Sequence, residues 1–245
     1  MEILTHGVTK PIPAVTASER KQMFSLMLDY YDGMTEEKFN CDLDEKEAVM
    51  TMLDSRSGAI VGFSTFKIFD LGEHGVGVKG FFSGDTVVRE EYRRTATMGV
   101  EIGKNFLTAV QRFPLERMYW ILISKGCRTY RILPIFFREW YPRYDRETPE
   151  EIRNVMDMFG AYKYPDQYDG SLGLIIASSE AEVLRVGVAE AHEGRLKDPH
   201  IQYFVQRNPD HIRGNELVCV AEITVKNFAP AFVRMLRLAG VKLNE

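Results

Sequence analysis

Two arginines in a turn between an apolar strand end and an amphipathic helix make a natural anion site. The stretch Asp85 to Leu107, DTVVREEYRRTATMGVEIGKNFL, has that layout. Thr86-Val87-Val88 reads as a strand end, and a turn rich in arginine and threonine follows. A helix over 98–112 then carries Ile102, Phe106, Leu107 and Val110 on one face. The first turn of a helix leaves backbone N–H groups unpaired and holds the positive end of the helix dipole, so phosphate is drawn to such a junction. Arg93 and Arg94 would add two charges in the turn itself. Within Arg94-Thr95-Ala96-Thr97-Met98-Gly99 only the last residue is glycine, so close approach of backbone to phosphate is eased there alone. The same residues also suit a charged turn with a threonine cap.

Other chemistry is thinly represented. Cys127 follows the apolar run Met118–Ser124 but has no histidine near it in sequence, which suits a buried, inert thiol. There is no G-x-S-x-G elbow of the kind an α/β-hydrolase uses. His192, His200 and His211 are eight and eleven residues apart with no i, i+4 pair, so no metal site is expected. Cys41, Cys127 and Cys219 are odd in number and widely spaced, which points to reduced thiols and a cytoplasmic setting.

The 245 residues suffice for a sizeable core, and the 45% hydrophobic, 27% charged composition is that of an ordinary globular protein. No apolar run approaches the roughly 20 residues needed to span a membrane. The N-terminus, MEILTHGVTKPIPAV, lacks the basic and apolar regions of a secretory signal. Net charge is −4, yet residues 89–146 hold twelve Lys/Arg against six Asp/Glu. That balance argues against general nucleic-acid binding. It predicts a contiguous basic face suited to a compact polyanion or an acidic partner.

Periodicity and turn chemistry set out the elements. Thr16-Ala17-Ser18-Glu19 is a capping box opening a helix to about Tyr31. Glu47–Leu53 and Ala59–Asp70 read as strands joined at Asp54-Ser55-Arg56-Ser57-Gly58. Gly77–Val88 is the third strand, and Met118–Ser124 is short and apolar enough for a buried central one. Pro134 breaks or starts a helix in the aromatic segment 130–144. Thr148-Pro149-Glu150-Glu151 starts a helix to about Phe159, and Ser179-x-x-Glu182 starts another to about His192. Asp198-Pro199 opens a short helix. Gly173–Ser178 and Glu216–Ile223 are strands, and a last helix covers about Asn227 to Ala239.

This order, with the strand, arginine turn and helix at 85–107, resembles the GNAT superfamily of N-acyltransferases. The resemblance covers about residues 15–145 and implies an α+β fold, a twisted mixed sheet flanked by α-helices. Residues 146–245 would then elaborate a single domain spanning 1–245. It also implies that Val87, Val88, Arg89, Arg93, Arg94, Thr95, Ala96, Thr97, Met98 and Gly99 bind acetyl-CoA or a longer acyl-CoA, with the loop and helix start holding its pyrophosphate. The implied reaction moves the acyl group to an amine of a small molecule or a protein, without a metal. In such enzymes a carboxylate or water near the strand before the turn accepts the amine proton, and a tyrosine after the central strand protonates the thiolate. Asp85 and Ser83, two apart and so on one face of the strand, stand in the first position, with His74 in the loop before them. Tyr130 is nearest the second, with Tyr141 behind it. The family's usual N-x-x-A-x-x-L-Y pattern is absent, and the loop has lost glycines. An acyl-carrier-protein donor docking on the basic segment, or an inactive acyl-ligand or partner-binding relative, are the competing readings. The sequence leaves the oligomeric state open.

Overall fold

The computed structural model describes residues 4–72, 77–178, 182–185 and 197–243. The expected α+β class is what forms: a mixed eight-stranded sheet with helices on both faces. Its strands are β1 (Thr5–Pro11), β3 (Ala48–Asp54), β4 (Ile60–Asp70), β5 (Val78–Val88), β6 (Arg117–Ser124), β10 (Glu216–Glu222), β8 (Leu174–Ile175) and β7 (Tyr168–Asp169), in that spatial order. All neighbours are antiparallel except β5 and β6, which run parallel from Val78↔Arg117 to Ser83↔Leu122. A two-stranded ribbon joins β2 (Tyr31–Asp32) to β9 (Val183–Leu184).

The helices are α1 (Ala17–Leu28), α2 (Glu36–Asp44), α3 (Thr97–Arg112), α4 (Cys127–Tyr130), α5 (Ile132–Phe136), α6 (Glu150–Lys163), α7 (Pro199–Arg207) and α8 (Pro230–Leu238). The Thr16 capping box forms as expected, with Glu19 N–H donating to Thr16 Oγ1 and Thr16 N–H to Glu19. At α6 the cap is Pro149, and no side chain closes that end. Part of the expected helix after Ser179 is replaced. Val183–Leu184 is extended and paired with β2, whereas 179–181 and 186–196 lie outside the described residues, as do His74 and His192.

Both faces of the sheet are packed. On one, Phe106 of α3 meets Phe81, Trp120 and Phe137, and α5 and α8 close over it through Phe136 and Phe232, whose rings stack at 4.1 Å. On the other, α1 and α2 bury Met23, Leu26, Phe39 and Leu43 against Val49, Phe63 and Val87, and α6 buries Phe159 against Phe69 and Phe82. Gly103 is a contact point between helices. A Cβ there would lie 2.5 Å from Leu236 and 3.0 Å from Phe232, so its bare Cα lets α8 lie against α3.

One irregularity sets up the site. The β4–β5 ladder pairs Ser64 with Thr86 but Phe66 with Ser83, so Gly84 and Asp85 together oppose Thr65. This bulge reverses the alternation of β5. Phe81 and Ser83 face α3, whereas Val87 belongs to the core under α1 and α2. Ser83 and Asp85 therefore do not share a face, contrary to the i, i+2 expectation.

Candidate active site

Parallel pairing of β5 with β6 stops at Ser83↔Leu122, while β5 continues to Val88 bonded only to β4. The strands diverge there. From Gly84 to Val88, β5 pairs with no described strand on its β6 side, where the Val88 carbonyl accepts from Tyr30 Oη and Arg93 Nε, and β6 pairs onward with β10. A cavity of about 840 Å³ opens in this split.

One end of the cavity meets the start of α3. Tyr92, Arg93, Thr95, Ala96, Met98 and Gly99 line it. The N-cap is Ala96, with no side chain capping the first turn, so the helix end is left for an anion. Arg93 donates from Nε to the Val88 carbonyl at 3.0 Å and lies over the Tyr30 ring at 5.1 Å, which fixes its charge beside the opening. Arg128 and Thr129 of α4 line the opposite wall. Of the residues expected to hold a cofactor, Val87 and Val88 also reach the cavity. The side chains of Arg89, Arg94 and Thr97 do not. Arg94 is exposed, and Thr97 is hydrogen-bonded to Thr5 of β1 at 2.7 Å. Gly99, which lines the cavity, also meets α8. A Cβ there would lie 2.7 Å from Met235 and 3.3 Å from Phe136, so its lack of a side chain admits α8 beside α3.

The other end is ionic. Asp85, Asp42, Lys46, Lys125, Glu182 and Glu216 line it, with Tyr31 and Tyr164. Asp42 pairs with Lys46, whose Nζ also donates to the Asp42 carbonyl at 2.9 Å. Lys125 donates to the Glu182 carbonyl at 3.1 Å and sits 3.6 Å from Glu216. Asp85 is half-buried and lines the cavity. Burial pushes its carboxyl up to about 7, the neighbouring Asp42 charge and hydrogen bond push the same way, and Lys46 and Lys125 pull it down. Burial likewise raises Glu216, with Lys125 opposing. Tyr31 is raised by burial and then by Asp85, Glu216 and Glu182. A carboxyl held near neutrality inside a cleft is suited to accepting a proton.

Two expected catalytic side chains are not brought to this cavity. Ser83 is buried, and its Oγ accepts a hydrogen bond from Trp120 Nε1 at 2.7 Å on the α3 side. Tyr130 is fully buried against Tyr203 and Phe204 and donates to the Pro142 carbonyl at 2.8 Å. Burial raises its hydroxyl far above the ordinary tyrosine range. Tyr141 is bonded through its backbone to Val220. Replacing Tyr130 by Phe is therefore expected to cost about 1–2 kcal/mol of stability, from one buried carbonyl left unpaired. Any turnover should be unchanged within twofold. A large fall in kcat without loss of stability would contradict this placement.

The expected basic face is also corrected. Seven of the twelve cations in 89–146, namely Lys104, Arg112, Arg117, Lys125, Arg131, Arg143 and Arg146, are engaged in ion pairs with carboxylates of this chain. Their partners, such as Glu47, Glu151, Glu222 and Asp198, come largely from the acidic remainder of the sequence.

Sequence reasoning missed α2, and with it Asp42 and Lys46. The available signal was Thr35 before Glu36-Glu37-Lys38, since Thr35 Oγ1 caps the Lys38 N–H at 3.2 Å. Phe39 and Leu43 are the only buried residues of the helix, too few to show a period.

The mixed sheet, opened between its one parallel pair with an uncapped helix start on one lip, has the α+β arrangement that the sequence resemblance led one to expect. Among solved structures the chain is similar to a GNAT family N-acetyltransferase (YhbS) from Escherichia coli in complex with CoA. Identity is 11% over 51% of this chain and 66% of that one, with a TM-score of 0.37. It is also similar to Arabidopsis thaliana NAA60 in complex with acetyl-CoA, at 15% identity over 58% of this chain and 92% of that one, TM-score 0.40. A third is glucosamine-6-phosphate N-acetyltransferase from Arabidopsis thaliana, at 16% identity over 60% of this chain and 97% of that one, TM-score 0.39. No family model and no curated protein matches the chain. Among the described residues no helix is long and apolar enough to cross a membrane, and no cluster of ligating side chains is arranged for a metal.

Proposed function

We propose that the protein transfers an acyl group from an acyl-CoA thioester to an amine. One observation carries this: a single cavity joins the uncapped start of α3, the stretch of β5 that β6 leaves uncovered, and Asp85. The helix start and Arg93 would take the pyrophosphate. The pantetheine arm, an extended chain with two amides, would lie along β5 beside Val87 and Val88, where the Val88 carbonyl is already taken by Arg93 and Tyr30. An N–H of the same stretch would polarise the thioester carbonyl. Asp85 would accept a proton from the amine, whose nitrogen attacks the carbonyl carbon. The C–S bond then breaks, and the thiolate leaves and takes its proton from solvent. A thiol with an ordinary pKa of about 8.5 needs little help near neutral pH, so the absence of Tyr130 from the cavity does not block this route. With most of the basic segment paired internally, free acyl-CoA is a better-supported donor than a carrier protein.

The test is release of free thiol from acetyl-CoA and longer acyl-CoAs in the presence of small primary amines and peptides. Binding of acyl-CoA with no thiol release for any amine would favour the ligand-binding reading, which the displaced tyrosine supports. Arg93→Glu is expected to weaken CoA binding at least tenfold, about 1.4 kcal/mol, by calorimetry. Arg94→Glu, at an exposed position off the cavity, should change it less than about threefold, under 0.7 kcal/mol. Equal effects of the two reversals would mean that charge in the turn acts only at long range.

A further inference from the structure

We propose that the acceptor is a primary amine whose ammonium is its only charge and whose body is apolar. The inference rests on the acyltransfer reading and names the substrate class of the same cavity.

Charge pairing on the cavity wall carries it. Among the described residues, four carboxylates line the cavity: Asp42, Asp85, Glu182 and Glu216. Three of them have a lysine of the same wall as partner. Asp42 pairs with Lys46, Glu182 lies 3.6 Å from Lys38, and Glu216 lies 3.6 Å from Lys125. Two of these lysines are held a second time. The Lys46 side chain is 3% exposed and donates to the Asp42 carbonyl at 2.9 Å, and Lys125 donates to the Glu182 carbonyl at 3.1 Å. Asp85 alone of the four has no ion-pair partner among the described residues.

Three lysines against four carboxylates leave one negative charge, and it sits at Asp85. A single ammonium balances it. A second ammonium on the same molecule would meet carboxylates that lysines already hold, with those lysines beside them. A carboxylate on the acceptor would meet Asp85, with no lysine released to offset the repulsion. Both are disfavoured in a cleft where water screens charge poorly.

The rest of this wall is aromatic or aliphatic. Tyr31 and Met34 pack with the core under α1 and α2, and Phe82, Ile175 and Tyr164 with the core under α6. Those cores lie on the sheet face opposite α3, so the five residues line the cavity from the side away from the proposed nucleotide. A tyrosine face attracts an ammonium, and Lys125 Nζ over the Tyr31 ring at 5.7 Å is the chain's own instance. The apolar residues favour a hydrocarbon or aryl body over a polar one.

The test is calorimetric binding of matched small molecules to the whole protein at about pH 8, where aspartate and a primary amine are both charged. Hexylamine and diaminohexane differ by one added ammonium, and phenethylamine and phenylalanine by one added carboxylate. Phenethyl alcohol removes the charge. Hexylamine and phenethylamine should each bind at least about tenfold more tightly than their matched counterparts. In Asp85→Asn the advantage of phenethylamine over phenethyl alcohol should shrink to less than about threefold. Binding by neither monoamine, diaminohexane or phenylalanine binding as tightly as its partner, or an advantage unchanged in Asp85→Asn would each overturn the proposal. Thiol release from acetyl-CoA with the same amines separates this inference from the reading beneath it. Binding in the expected order without release leaves the amine site standing and removes acyl transfer. Release that is fastest with diaminohexane or phenylalanine keeps acyl transfer and overturns the acceptor class.

Discussion

Asp85→Asn should lower kcat/KM for amine acylation by about 10²–10⁴-fold, the range that general-base assistance supplies, while CoA binds with unchanged affinity. The split follows from position. Asp85 lines the cavity with Asp42, Lys46, Lys125 and Glu216, so on the proposed reading it would face the acceptor amine and not the nucleotide. The substitution keeps the shape and removes the basic site. The same assignment fixes a pH dependence. A base must be ionised to act, and burial has raised this carboxyl from the ordinary aspartate value to about 7. The rate should therefore fall about tenfold for each pH unit below that value and level off above it. An Asp85→Asn enzyme that turns over at the wild-type rate, or a wild-type rate that is flat down to pH 5, would remove Asp85 from the chemistry.

Phe106→Ala should cost about 3–5 kcal/mol of stability, the range for emptying a buried aromatic site. For a chain of this size that corresponds to a melting point lower by roughly 6–20 °C. Phe106 is fully buried, with ring centroids 5.1 Å from Phe81 of β5, 5.3 Å from Trp120 of β6 and 6.0 Å from Phe137. It thus ties α3 to both strands that part at the cavity. Removing it loosens the element whose first turn is assigned to the pyrophosphate, so CoA affinity should fall as well, although no cavity-lining atom has been deleted. Denaturant unfolding and calorimetry check the two effects separately. A loss below about 1 kcal/mol would mean that the neighbouring rings close the gap and that α3 is anchored elsewhere.

The strands and helices that build the open sheet were legible because their signals are local. The Thr16 capping box, the Asp54–Gly58 turn and the apolar run of β6 each name an element without reference to the rest of the chain. The arginine turn and the start of α3 were legible for the same reason. What was hidden depends on one residue of register or on distant partners. The bulge at Gly84-Asp85 is a property of the β4–β5 ladder and not of β5 alone, and without it Ser83 and Asp85 seem to share a face. Tyr130 looked catalytic by its place after β6, yet α4 is short and its side chain turns toward α7. The basic segment looked like a face because its counter-charges, Glu47, Glu151, Asp198 and Glu222, lie far away in sequence. Asp42 was hidden because α2 buries only Phe39 and Leu43 and leaves no periodic trace.

On the proposed reading, acyl-CoA lies in the split between β5 and β6 with its phosphates at the start of α3. Titrating the isotope-labelled protein with acetyl-CoA and following its backbone amides tests this most directly. Saturable shifts are expected at Gly84–Val88, at Arg93 and at Thr97–Gly99, with Asp85 responding to the acyl group when acetyl-CoA replaces CoA. No saturable binding, or shifts confined to residues away from the cavity, would contradict it.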